Sequence, residues 1–164
     1  MKATLTQAAI DKAFGNPQRQ TKLVYSYSRT KITILNGKNT GRLDVVNSTA
    51  PSGEDVQVTS LERTLIDIAV RPVYAGGIVS VIDAYHSCRG RVSAARIAEL
   101  LQKMDYRYPY AQAVGFLLQR SGYSTDEQSF FKNLATPFNF YLSYAMQDPL
   151  FDKDWRVFYP RAIR

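Results

Sequence analysis

The chain has 164 residues, 45% apolar and 21% charged, the balance of a globular domain long enough to bury a core, which excludes a disordered chain. Its single cysteine, Cys88, excludes an internal disulfide framework, and no apolar run approaches the roughly 20 residues that a spanning helix requires. The net charge of +7 is localised: residues 1–42 carry Lys2, Lys12, Arg19, Lys22, Arg29, Lys31, Lys38 and Arg42 against Asp11 alone, and the other 13 of 21 bases cancel the other 13 of 14 acids.

In chain order, "LTQAAIDKAF" has helical spacing, with Leu5, Ala8, Ala9 and Ala13 on one side and Thr4 or Thr6 as cap. It stops at Gly15-Asn16-Pro17. The β-branched and aromatic alternation that follows predicts strands over 22–28 and 31–35, with Asn36-Gly37 as a tight turn. A polar loop is expected over 47–55 and a short strand over 56–59.

"VTSLERTLIDIAVRP" then opens a helix. Thr59 and Glu62 have the T-x-x-E spacing of a capping box, and Leu61, Leu65, Ile68 and Ala69 form an apolar face. Arg63 and Asp67 are i, i+4 neighbours able to pair, and Pro72 ends the helix. A carboxylate engaged in capping and another engaged by an arginine point to architecture, not to acid–base machinery.

Further helices are predicted on Ile78, Val81, Ile82 and Tyr85; on Ile97, Leu100, Leu101 and Met104 after Ser93 as N-cap; and on Val114, Phe116, Leu117 and Leu118 up to Gly122. "STDEQSFFKNLA" adds one more, capped by Ser124 or Thr125, with acids early and Lys132 late. "FNFYLSYAM" and "WRVFYP" alternate like strands around an acidic turn, "DPLFDKD". Strands, then helices, then strands predict an α+β fold: a small mixed or antiparallel sheet from N- and C-terminal strands, packed against a central group of helices, in one domain over 1–164.

Catalytic patterns are scarce. His86 and Cys88 have no further His or Cys to complete a zinc site, and at i, i+2 they point about 200° apart on a helix. Phosphate-binding glycine loops and a GxSxG elbow are missing, so no cofactor and no metal is expected. One alternative remains, a magnesium-dependent nuclease: Asp44 and, after a loop, Asp55-Val56-Gln57 resemble an Asp plus (D/E)-x-K pair, with Gln57 in the lysine's place. In "DYRYPY", Tyr106, Arg107, Tyr108 and Tyr110 are either stacking residues for nucleic acid or an apolar plug between helices, with Pro109 starting the second.

A basic segment suggests a polyanion, most commonly DNA or RNA, with a merely solvated face as the bland alternative. The candidate contacts are Lys22, Arg29, Lys31, Lys38 and Arg42, with Arg29 and Lys31 expected to share a strand face. The lone cysteine and the lack of a signal-peptide core suggest a cytoplasmic protein without membrane contact.

"TLTQAAIDKAF", "ILNGKNTGRLDV", "VTSLERTLIDIAVRPVYAGG", "DYRYPYAQAVGFLLQRSGY" and "FNFYLSYAM…WRVFYP" together resemble the C-terminal region of AbiEi-family proteins, antitoxins and autoregulators of type IV abortive-infection toxin–antitoxin systems. The resemblance runs along essentially the whole chain. It implies a non-enzymatic, antitoxin-like regulatory domain that counteracts a nucleotidyltransferase-like toxin without the two needing to form a stable complex, in phage defence or on a mobile element. Such proteins carry an N-terminal winged helix, and the sequence departs from them by beginning at Met1, where the second domain would start. The family supplies no catalytic residue to transfer. A plain self-associating interaction module is the remaining alternative, and the sequence does not determine the oligomeric state.

Overall fold

The computed structural model describes residues 4–38 and 40–163; Lys2 of the basic segment lies outside them. The first helix begins where a hydroxyl can serve a free backbone donor: Thr6 accepts from the Ala9 N–H at 3.3 Å and α1 runs Gln7–Phe14. Phe14, its buried last residue, packs against Tyr108, Phe140, Tyr141 and Tyr144, so the N-terminal helix is seated on the C-terminal part of the chain.

Next come β1 (Val24–Tyr27) and β2 (Thr30–Thr33), an antiparallel hairpin in which Tyr25 faces Ile32 and Tyr27 faces Thr30. Its reversal is Ser28-Arg29, where the first predicted strand gives way to the second, with Ser28 at φ 53°; Asn36-Gly37, predicted as a tight turn, lies in an irregular segment. A two-residue loop that matches strand twist needs positive φ at its first position, and Ser28 adopts it without a glycine. Arg29 is therefore a loop residue and does not share a strand face with Lys31.

A second antiparallel hairpin pairs β3 (Val45–Thr49) with β4 (Asp55–Thr59). Residues 47–49, predicted as loop, belong to β3. Their polarity hid them: most of this hairpin is exposed, so Asn47, Ser48 and Thr49 have no buried face to record in an apolar alternation.

α2 spans Leu61–Val70 and is capped by Ser60, whose Oγ accepts from the Arg63 N–H at 3.1 Å, so the predicted Thr59–Glu62 box is not formed. Its buried residues are Leu65, Ile66, Ala69 and Val70, while Leu61 is exposed, a face turned from the one predicted. A 3₁₀ turn, Pro72–Ala75, leads to α3 (Ile78–Ser87), α4 (Ala94–Met104, capped by Ser93), α5 (Tyr110–Arg120) and α6 (Thr125–Lys132, with a Ser124–Glu127 capping box).

Every residue from Tyr110 to Leu118 of α5 is buried, which makes it the axis of the core. After α5, Gly122 at φ 78° lets the Tyr123 N–H reach the Leu118 carbonyl and its own N–H reach that of Gln119, a Schellman ending. Gln112, fully buried, donates to the Phe138 and Trp155 carbonyls and accepts from the Thr136 N–H and hydroxyl.

The C-terminal sheet has the order β5 (Phe140–Tyr141), β7 (Val157–Tyr159), β6 (Leu150–Asp152), with β5 parallel and β6 antiparallel to β7. β6 lies inside the predicted acidic turn. The class is α+β as expected. The N- and C-terminal strands do not share a sheet, however: both early hairpins pair only within themselves, and the core is helices plus the C-terminal sheet. No helix among the described residues is long and apolar enough to cross a membrane.

Candidate nucleic-acid interface

No acid occurs between Asp11 and Asp44, and the first hairpin occupies the middle of that interval. All its strand residues are exposed, Tyr27 at 77% and Tyr25 at 56%. One face carries Tyr25, Tyr27 and Ile32, and the register is continued by Leu23 and Ile34, joined through Ile34 N–H to the Leu23 carbonyl at 2.9 Å. The other face carries Ser26 opposite Lys31. Lys22 stands at the root and Arg29 at the tip, so three of the five predicted cations belong to this arm, none in an ion pair with a described acid.

The other two cations serve elsewhere. Lys38 Nζ donates to the Met104 and Asp105 carbonyls, both at 2.6 Å, and lies 3.8 Å from the Asp105 carboxylate. It is the cation at the negative end of α4. Arg42 reaches Gln57 on β4 and belongs to the second hairpin.

Asp44 and Asp55 are not brought together. Asp44 flanks the Val45–Thr59 end of the second hairpin and Asp55 pairs with Thr49 at the other, four to five residue rises or roughly 15 Å away. Asp44 is also occupied: it accepts from the Ser60 hydroxyl and pairs with Arg96 at 2.6 Å, and these contacts hold its carboxyl below the ordinary 3.8. A shared magnesium would need both carboxylates free and within a single coordination sphere. Among the described residues no three His, Cys, Asp or Glu side chains are grouped to hold a metal.

Arg63 and Asp67 do pair, Nε to Oδ2 at 2.9 Å. Arg63 further donates to the Thr40 hydroxyl at 3.1 Å and the Leu43 carbonyl at 2.8 Å, tying the segment before β3 to α2. Both line a cavity of about 510 Å³ with Lys38, Arg71, Tyr74 and Tyr106. Burial pushes the Asp67 carboxyl up despite Arg63.

The tyrosine cluster divides. Tyr110 is buried, edge-on to Tyr106 at 5.2 Å and to Phe140 at 5.1 Å, with no face free for a base. Tyr106 and Tyr108 are half-buried and Arg107 is exposed. His86 is exposed while Cys88 is buried, so they face apart.

Comparison with known proteins finds no family model, curated protein or solved structure that matches this chain.

Proposed function

We propose that this is a non-enzymatic nucleic-acid-contacting regulatory domain whose contact element is the first hairpin, acting in the antitoxin-like role that the sequence resemblance implies, against a nucleotidyltransferase-like toxin. The observation that carries the nucleic-acid part is the arm itself: a two-stranded ribbon exposed along its whole length, with Lys22, Arg29 and Lys31 distributed from root to tip and no acid nearby in sequence. Folding does not need its tyrosines exposed, and an isolated two-stranded ribbon is marginally stable unless something covers it. The duplex major groove admits a ribbon of this kind, and phosphates neutralise its charge. The toxin assignment rests on the resemblance alone.

The test is titration against labelled duplex DNA and transfer RNA over a salt series, with Lys22→Gln, Arg29→Gln and Lys31→Gln combined. Three phosphate contacts predict a log–log slope of about −2.7, at about −0.9 per contact, which the triple variant should nearly abolish. Binding that the variant leaves intact sinks the hairpin as contact element. Co-expression with a nucleotidyltransferase-like toxin tests the second half, and undiminished growth arrest counts against it.

Self-association is a second reading, favoured by the open strand edges and by Val46, Val56 and Val58 exposed on the other hairpin. Light scattering that returns a monomer removes it.

A further inference from the structure

Where the hairpin arm joins the body, a cleft of about 890 Å³ opens between the end of α1, the 3₁₀ turn and the segment before α5. Four cations line it, Lys12, Arg19, Arg71 and Arg107, and no acid does. None of the four forms an ion pair with a described acid; Arg71 donates one hydrogen bond, to the Asn36 carbonyl at 3.2 Å. Converging like charges repel, and a concave site with low-dielectric walls concentrates their field. A bound polyanion relieves that repulsion.

The walls narrow the choice of polyanion. Tyr74, Tyr108 and Tyr144 line the same cleft, each half-buried and each held in place. The Tyr74 hydroxyl accepts the Thr21 N–H at 2.7 Å, Tyr108 sits edge-on to Phe14 at 5.3 Å, and Tyr144 stacks on Phe14 at 4.3 Å. Rings fixed beside cations are the combination that recognises unpaired bases on a phosphodiester chain. Bases paired and stacked in a duplex do not offer their faces to such rings, and a flat anionic bilayer cannot follow the concavity.

We infer that this cleft binds single-stranded nucleic acid, its cations on the phosphates and its tyrosine rings against the bases. Thr21 and Leu35, which flank the hairpin in sequence, also line the cleft, so it opens at the root of the arm. The site shares its partner's chemistry with the proposed function but none of its residues, and the two stand or fall separately.

The experiment is fluorescence anisotropy with a labelled oligothymidylate of about a dozen nucleotides over a salt series. Four contacts predict a slope of about −2.8, at about −0.7 per phosphate of a single strand. Lys12→Gln with Arg107→Gln, both exposed, should halve the slope and weaken binding by about tenfold or more, while the hairpin triple variant keeps the single-strand slope. Arg19→Gln is a third exposed position should that pair prove unstable. A base-free deoxyribose-phosphate chain of equal length should bind at least about fivefold more weakly, the least that loss of one stacked base implies. Unchanged affinity in the cleft variants, equal binding of the base-free chain, or binding to phosphatidylglycerol vesicles with none to the oligonucleotide would each overturn the inference.

Discussion

Glu62, on α2, accepts the backbone N–H of Ser93 at 3.1 Å and so completes the start of a helix other than its own. Ser93 caps α4 through its hydroxyl, but the residue three places on is Arg96, which cannot return a carboxylate to the Ser93 N–H. Glu62 supplies it from the neighbouring helix. Glu62→Ala should therefore lower stability by about 1 kcal/mol through α4, and Ser60→Ala should cost α2 a similar amount. Thr59→Ala should cost less, since Thr59 only shares a hydroxyl contact with Thr64 at 2.8 Å. Urea unfolding followed by the sole tryptophan, buried Trp155, ranks them; a Thr59 effect above that of Ser60 would restore the box that the T-x-x-E spacing suggests.

Gly115 lies against the Trp155 ring. A Cβ there would stand 2.1 Å from Cζ3 and 2.4 Å from Cη2. Alanine gains about 1 kcal/mol over glycine inside a helix, but overpacking a filled core costs about 1–3 kcal/mol or more, and this overlap is beyond what rotamer relief accommodates. Lys132 Nζ lies 3.7 Å from the centroid of the same ring, so withdrawal of the indole also gives up that contact. Gly115→Ala should destabilise by about 2 kcal/mol net, with a red-shifted tryptophan emission. A stabilised variant would show that the ring has room to move.

Which of these features were legible in the sequence follows from how local they are. α4 and α6 could be read closely because Ser93 and Ser124 cap within their own turns, and in α4 the expected Ile97, Leu100, Leu101 and Met104 are all buried. The Glu62–Ser93 and Arg96–Asp44 contacts join residues 31 and 52 positions apart, and no spacing rule reaches them. β3 was illegible because exposed strands lack a buried face to mark, and β6 because it is three residues long between acids. The basic quarter could be read as charge but not as geometry: Lys38 and Arg42 were drawn off to α4 and β4. Arg71 and Arg107, far along the chain, joined Lys12 and Arg19 at a cleft that no one-dimensional pattern announces.

Stability on the acid side should track Asp44. Its carboxyl is held below the ordinary 3.8, first by the Ser60 hydroxyl and then by Arg96. A depressed carboxyl contributes stability that is present above its unfolded value and is lost as pH falls through the folded one. Asp67, raised by burial, acts in the opposite sense and favours its protonated native form as pH falls. Asp44→Asn keeps the shape and tolerates the φ of 57° found there. Its difference from the parent in urea unfolding should be largest near neutrality and shrink from about pH 4 downward. A difference that stays constant to pH 2 would mean that the loss comes from the amide's poorer hydrogen bonding to Ser60 and Arg96 and not from the titration of Asp44.

Lys31 and Lys38 carry the same charge, are both exposed and lie seven residues apart, yet they should behave oppositely. Lys38 bridges the last carbonyls of α4 with two 2.6 Å hydrogen bonds, a C-terminal cap whose loss leaves Met104 and Asp105 oxygens to water at one end and borders the Arg63–Asp67 cavity at the other. Lys31 projects from β2 opposite Ser26 and forms no ion pair with a described acid. Lys38→Gln should therefore lower unfolding free energy by about 0.5–1.5 kcal/mol and leave the salt slope of duplex binding unchanged. Lys31→Gln should leave stability within about 0.5 kcal/mol and reduce that slope by about 0.9. Paired urea and salt titrations on the two variants separate the roles. Should Lys38→Gln reduce the slope as Lys31→Gln does, without destabilising the chain, its ammonium leaves the helix end for phosphate when nucleic acid binds, and the interface extends from the arm to the C-terminus of α4.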